Sequence, residues 1–187
     1  MTDERIFGRY PQKKKNEKTP VKWRVLDADG GEALLISEAV LDSRAYNGGE
    51  SNVWAESDIR AWLNGGFYDA AFDADEQKMI VETENANNKG GDTRDRVFLL
   101  SADEANRYFK SDRDRTAKKT RYARKGFFFI RRKADAITPW WLRSSSLAYP
   151  EGAVVVNAGG RIHSDGYKMN AAIIGVRPCV RVKTDGI

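Results

Sequence analysis

Two glycine pairs, one near each end of the chain, restrict what this sequence can fold into more than any other feature. Residues 21–26 and 33–36 are short segments rich in β-formers. They are separated by Asp27-Ala28-Asp29-Gly30-Gly31, whose Asp-Gly and Gly-Gly pairs supply the positive φ of a tight hairpin turn. Residues 152–157 and 161–163 flank Ala158-Gly159-Gly160 in the same way, which predicts a second hairpin. In the final stretch Val176, Pro178, Val180 and Val182 alternate with Arg177, Cys179, Arg181 and Lys183, the pattern of a strand with one apolar face. Pro178 has no amide to donate, so that strand is expected at a sheet edge or with a bulge.

Short helices are expected between the strands. Ser57 caps one that carries Ile59, Trp62 and Leu63 at i, i+3 and i+4, and Asn64-Gly65-Gly66 ends it with residues that tolerate the left-handed conformation. Asp73 and Glu76 have capping-box spacing ahead of Met79 and Ile80. Residues 85–95 are polar and glycine-containing, hence a loop. Residues 97–100 form a buried strand, after which Ser101 and Glu104 make a capping box for a helix with Ala105, Tyr108 and Phe109 inward. The class is α+β, in one domain over residues 1–187, and a chain of 187 residues can bury a core without staples.

Charge is concentrated rather than spread. Arg115, Lys118, Lys119, Arg121, Arg124, Lys125, Arg131, Arg132 and Lys133 are nine cations with no acid among them. The net charge of the whole chain is only +5, so the remainder is net acidic. A basic insertion around residues 111–135 follows from this. With Tyr122 and Phe127 to Phe129 interleaved, it could neutralise phosphates and stack bases, or it is a solvated insertion. The longest apolar runs, residues 33–36 and 127–130, are far below membrane-spanning length, so no membrane partner is expected. The N-terminal residues are charged from the third onward and lack the apolar core of a secretion signal. A lone Cys179 excludes an internal disulfide, and a soluble protein in a reducing, cytoplasmic setting is the expectation.

Catalytic groups are scarce. There is one histidine and one cysteine, and the GxSxG, Walker and HExxH patterns are missing. Ser144 to Ser146 have no nearby base in sequence, and His163 sits in a glycine-rich hairpin where it reads as a surface residue. Asp27, Asp29 and Glu32 miss the EF-hand spacing, and one cysteine with one histidine leaves no zinc set. No metal, no cofactor and no enzymatic activity are expected.

The ordered segments FGRYPQ, KWRVLD, ALLISEAVLD with a following YN, SDIRAWLN, FLLS running into EANRYF, WWLRS and finally GVRP resemble a bacterial and phage domain family of unknown function over nearly the whole chain. The resemblance implies a C-type-lectin-like fold: a mixed, mainly antiparallel sheet with short flanking helices. Formylglycine-generating enzymes and the variable proteins of diversity-generating retroelements use the same fold. It makes Trp140, Trp141 and Arg143 framework, with GVRP as the closing strand of a chain that ends near where it begins. Formylglycine generation depends in its own family on a pair of active-site cysteines, and only Cys179 exists here. The EPN and WND triplets of calcium-dependent lectins are also missing.

Retroelement variable proteins display their ligand-binding residues in the part of the fold that, by the resemblance, lies here between WWLRS and GVRP. Here that region holds Ser145, Ser146, Tyr149, Asn157, His163, Asp165, Tyr167, Lys168 and Asn170, an aromatic and short-polar mixture suited to an adaptable surface, with Tyr149 and Tyr167 as anchors. The expected function is a non-catalytic module that binds an unknown protein or small-molecule ligand. The alternative is binding of nucleic acid or another anionic polymer through residues 115–133.

Overall fold

The structure, a computed structural model, describes residues 3–124 and 136–186. Strand β1 (Glu4–Pro11) pairs antiparallel with β2 (Lys18–Asp29), which turns back into β3 (Glu32–Ser37). Gly30 and Gly31 make that turn at φ 58° and 81°, as the Asp-Gly-Gly signal requires. After β4 (Asp42–Ser43), the chain enters α1 (Asp58–Trp62), with the Ser57 hydroxyl capping the Arg60 amide at 3.3 Å.

The predicted stop at Asn64-Gly65-Gly66 does not occur. A π turn (Leu63–Phe67) carries the helix on into α2 (Tyr68–Ala71), and neither glycine has positive φ. Ile59, Leu63 and Phe67 are buried, and the apolar face they extend outweighs the local stop signal. The Asn64 amide is fully used instead. It donates to the Val97 carbonyl at 2.9 Å and accepts from the Arg96 and Val97 amides.

α3 (Ala74–Met79) has the Asp73–Glu76 capping box with both reciprocal bonds present. It leads to β5 (Ile80–Val81). The segment expected to be a loop has paired ends, β6 (Thr83–Asn85) against β7 (Thr93–Asp95), followed by β8 (Val97–Phe98), shorter than residues 97–100. A buried carboxylate explains the pairing. Asp95 accepts from Trp54 Nε1, Arg60 Nε, Asn64 Nδ2, Asn85 Nδ2 and Thr93 Oγ1 at 2.6–3.4 Å, binding α1 to the hairpin.

The second capping box, Ser101 with Glu104, opens α4 (Ala102–Tyr108), and α5 (Asp112–Arg115) follows. The last strands are β9 (Trp140–Ser145), β10 (Gly152–Val156), β11 (Ile162–Lys168), β12 (Gly175–Val176) and β13 (Cys179–Lys183).

These strands form two larger, mostly antiparallel sheets. One runs β1-β2-β3-β13, with β5 and β8 both paired to β13. The other runs β11-β10-β9-β12-β4, in which β9 and β12 are parallel. The fold is therefore mixed α+β, a curled antiparallel arrangement with few short helices. The chain's first and last strands share a sheet but are separated in it by β2 and β3.

The expectation of one alternating final strand is corrected. The run breaks at Pro178: β12 lies in one sheet and β13 lies centrally in the other, so Val176, Arg177 and Cys179 are all buried. The neighbouring segment crosses with it. The Ser37 amide donates to the Pro178 carbonyl at 3.0 Å and the Leu41 amide to the Val176 carbonyl at 3.0 Å. Proline fits where the chain changes sheets because no ladder amide is needed there.

α5 is tied down by charge. Arg24 holds Asp114 through both guanidinium nitrogens, at 2.8 and 3.0 Å, and the Lys110 amide donates to the same carboxylate at 3.0 Å. The Arg24 hydrogen bond, against partial desolvation, keeps the Asp114 carboxyl below its ordinary value. A depressed folded-state pKa means the stabilisation is present above the unfolded value of about 3.9 and is lost as pH falls through the folded one. Asp114→Asn should therefore be less stable than the parent at pH 6, with the gap closing toward pH 3. Urea unfolding across that range measures it, and a gap independent of pH would show that the ion pair contributes nothing.

Candidate functional site

WWLRS and GVRP meet in the middle of the second sheet. β9 is buried along its length, and its adjacent tryptophans occupy opposite faces. Trp140 donates its indole N–H to the Arg115 carbonyl at 3.1 Å and lies 6.3 Å from the Phe109 ring. Trp141 donates to the Arg44 carbonyl at 2.8 Å and meets Tyr46 edge-on at 5.6 Å. Gly175 of β12 pairs beside Trp140. Arg177 lies over the Trp140 and Phe109 rings at 5.1 and 5.6 Å, and its Nε donates to the Ser37 carbonyl at 2.9 Å. Burial lowers the Arg177 pKa to about 10, so the guanidinium remains charged at neutral pH.

Arg143 also faces inward. It grips the Glu104 carboxylate with both terminal nitrogens and donates to the carbonyls of Leu99 at 2.9 Å and Ala86 at 3.2 Å. Glu104 is the same residue that closes the α4 capping box, so two motifs 39 residues apart form one ion pair. Nothing in the sequence pattern singles out that partner.

The residues expected to bind a ligand divide into two groups. Ser145 and Ser146 lie inside the fold. The Ser145 hydroxyl donates to the Asn52 carbonyl at 2.7 Å, and the Asn88 side chain clasps the Ser145 backbone through both its oxygen and nitrogen. The Ser146 hydroxyl donates to the Asp165 carbonyl at 2.8 Å and accepts from the Tyr149 amide at 2.9 Å. Asn157 is half-buried, and its oxygen accepts from the Gly159 and Arg161 amides to shape the β10–β11 turn. That turn abuts α5: at Gly160, φ 85°, a Cβ would lie 1.6 Å from the Asp112 carbonyl oxygen.

His163, Asp165, Tyr167 and Asn170 are exposed, and Tyr149 is half-buried with its hydroxyl 3.3 Å from Glu151. β11 is an outer strand exposed on both faces, and Gly166 at φ 80° sits where its register against β10 shifts. Leu147 and Ile173, 77% and 45% exposed, stand beside these residues in the chain, and Tyr167 is 47% exposed. The turn holding Leu147 and the end of β11 are joined by the Met169 amide to Glu151 carbonyl bond at 3.0 Å. Leu147 and Ile173 carry no exposure signal in the sequence, because apolar residues default to the core.

A second site lies elsewhere. A cleft of about 860 Å³ is lined by Lys13, Lys22, Lys118, Lys119, Arg121 and Arg124, with Gln12, Thr116, Thr120, Ala39, Ala117, Ile137 and one acid, Glu38. Residues 116–120 are not a loose insertion. Val40 donates to the Lys118 carbonyl at 2.9 Å, Thr120 to Val40 at 3.0 Å, Lys119 to Ala136 at 3.2 Å and Thr138 to Ala117 at 3.1 Å.

Arg115, counted with the basic patch, is buried away from the cleft, with Nε on the Gly160 carbonyl and its terminal nitrogen on Asp112. Lys125, Arg131, Arg132 and Lys133, with Phe127 to Phe129, lie outside the described residues. Lys13 and Lys22 were missed because about a hundred residues separate them from Lys118. The KKK run at 13–15 was the available signal.

Cys179 is buried, and burial pushes its thiol well above the ordinary value, the reverse of an activated nucleophile. Among the described residues no group of three or more His, Cys, Asp or Glu is placed to hold a metal, and no helix is long and apolar enough to cross a membrane. A family model described as Domain of unknown function (DUF6273) matches residues 30–184. No curated protein and no solved structure matches the chain.

Proposed function

The chain belongs to that family of unknown function, and we propose that it is a non-catalytic binding module whose ligand is held by the outer end of the β10–β11 hairpin. One observation carries this reading. Of five large apolar side chains exposed among the described residues, three, Leu147, Tyr167 and Ile173, fall in the stretch between the two closing motifs. Tyr167 lies on β11, with Leu147 and Ile173 in the turns that flank the β10–β11 pair, and that pair is backed by the buried WWLRS strand, a rigid base. Tyr149, Tyr167 and the short polar residues around them are the side chains from which adaptable recognition surfaces are built.

The scaffold is, on this reading, C-type-lectin-like, of the kind retroelement variable proteins use. The support is the order of the sequence segments and the mainly antiparallel sheets with short helices. A second reading, binding of an anionic polymer, is favoured by the cation-lined cleft.

A photo-reactive residue placed at Tyr167 should capture one discrete partner in the source cell's extract, whereas the same residue at exposed Lys78, away from both sites, should not. Replacing Leu147 and Ile173 by serine should leave the melting temperature within a few degrees, because both are exposed. It should also weaken capture about 30-fold, as expected for an interface anchor worth roughly 2 kcal/mol. Equal capture from both positions, or unchanged capture by the serine variant, would remove this face as the site.

A further inference from the structure

We propose that the cleft between the β1–β2 hairpin and residues 116–121 binds the phosphodiester backbone of a nucleic-acid duplex, without reading its bases. This deepens the second reading above and is independent of the first. Lys13 and Lys22 come from the hairpin, and Lys118 and Arg121 from a segment about a hundred residues later. The fold therefore assembles a cationic surface that neither segment has alone.

Backbone bonds to Val40 and Thr138 fix the second segment, so the backbone that carries its cations is set before any ligand arrives. Among the described residues one acid, Glu38, lines the cleft against Lys13, Lys22, Lys118 and Arg121, which leaves a positive excess. Lys22 is also 3.9 Å from Glu4, an exposed pair too weak to withhold it from a phosphate.

The lining decides among anionic partners. No aromatic side chain among the described residues lines the cleft. Tyr122, the nearest candidate in sequence, is set edge-on against Tyr10 with ring centroids 5.8 Å apart. Among the described residues, unstacked bases therefore find no platform at the cleft, which favours a duplex over a single strand. Most of the cations are lysines, point charges without the planar fork that selects single carboxylates. The threonine hydroxyls at 116 and 120 already donate to the Arg113 and Leu41 carbonyls, at 2.8 and 3.4 Å, so the phosphate contacts fall to the cations. A duplex offers phosphate oxygens densely and at regular spacing whatever its sequence.

The test is titration of the full chain with a mixed-sequence 20-base-pair duplex, the matching single strand and polyglutamate, at 50 and 200 mM salt. Four phosphate contacts at ~0.9 each give a salt slope of about 3.6, hence roughly 100-fold weaker duplex binding at the higher salt. The variant with Lys13, Lys22, Lys118 and Arg121 all changed to glutamine should bind at least tenfold more weakly and lose most of that slope. Lys78→Gln with Arg94→Gln, which changes exposed cations away from the cleft, should not.

Tighter binding of the single strand, or equal binding of polyglutamate, would overturn the duplex assignment while sparing the anionic-polymer reading. Binding of none of the three would overturn both. These comparisons use the unaltered protein, so they stand even if the fourfold variant folds poorly. A well-folded fourfold variant that binds as the parent does would move the site off this cleft.

Discussion

Arg143→Ala should cost the folded state about 3 kcal/mol, the lower end of the range for breaking a buried ion pair. The guanidinium is 2% exposed and makes four hydrogen bonds, two to Glu104 and one each to the Leu99 and Ala86 carbonyls. Truncation strands all of these acceptors at once. Glu104 is 29% exposed and keeps its bond to the Ser101 amide, so it can turn partly to water, which holds the expected value below the upper end.

Arg143→Lys should rescue little of the loss, because one ammonium cannot reproduce a fork that spans a carboxylate and two carbonyls. Arg143→Met combined with Glu104→Gln should lose less than the two single changes added together, since neither charge is then left alone. Urea unfolding of the four proteins measures the coupling. A cost under about 1 kcal/mol for Arg143→Ala would mean the pair is not part of the framework.

What the sequence disclosed and what it hid follow the range of the interactions. The capping boxes at Asp73 and Ser101, the Ser57 cap and both glycine turns are contacts within about four residues, and each is present. Burial of the tryptophan pair was legible as well, because few surface positions accept two adjacent indoles.

Features set by distant partners were not legible. Alternation from Val176 to Lys183 looked like one strand with a polar face. Arg177 in fact stacks on Trp140 and Phe109, and Cys179 pairs with β3 and β8. The Asn64-Gly65-Gly66 stop failed because Phe67 lies in the core beside Tyr10 and Phe72, which makes continuation of the helix the better outcome. At the candidate site, Ser145 and Ser146 have the composition of a binding loop but the location of a brace. The difference is made by Asn52 and Asn88, which lie far off in the chain. The basic segment was visible as charge, while the cleft needed Lys13 and Lys22.

The largest single effect is expected at Trp141. Its side chain is fully buried in β9, opposite Val155 of β10, with Tyr46 edge-on against the ring and the indole N–H donating to the Arg44 carbonyl. Tyr46 in turn donates its hydroxyl to the Arg143 carbonyl at 2.9 Å, so the ring supports the segment that positions the ion pair. Trp141→Ala removes the apolar area, opens a cavity whose walls are strands unable to collapse inward, and leaves the Arg44 carbonyl without its donor. The sum should be about 3–5 kcal/mol, a large share of the ~5–15 kcal/mol that holds a domain folded.

Trp141→Phe separates the contributions. It keeps most of the volume but not the donor, so it should lose only part of that amount. Thermal unfolding of both variants decides the matter. An alanine variant that melts at the parent's temperature would place residue 141 outside the core, and the rigid base proposed for the β10–β11 binding surface would go with it.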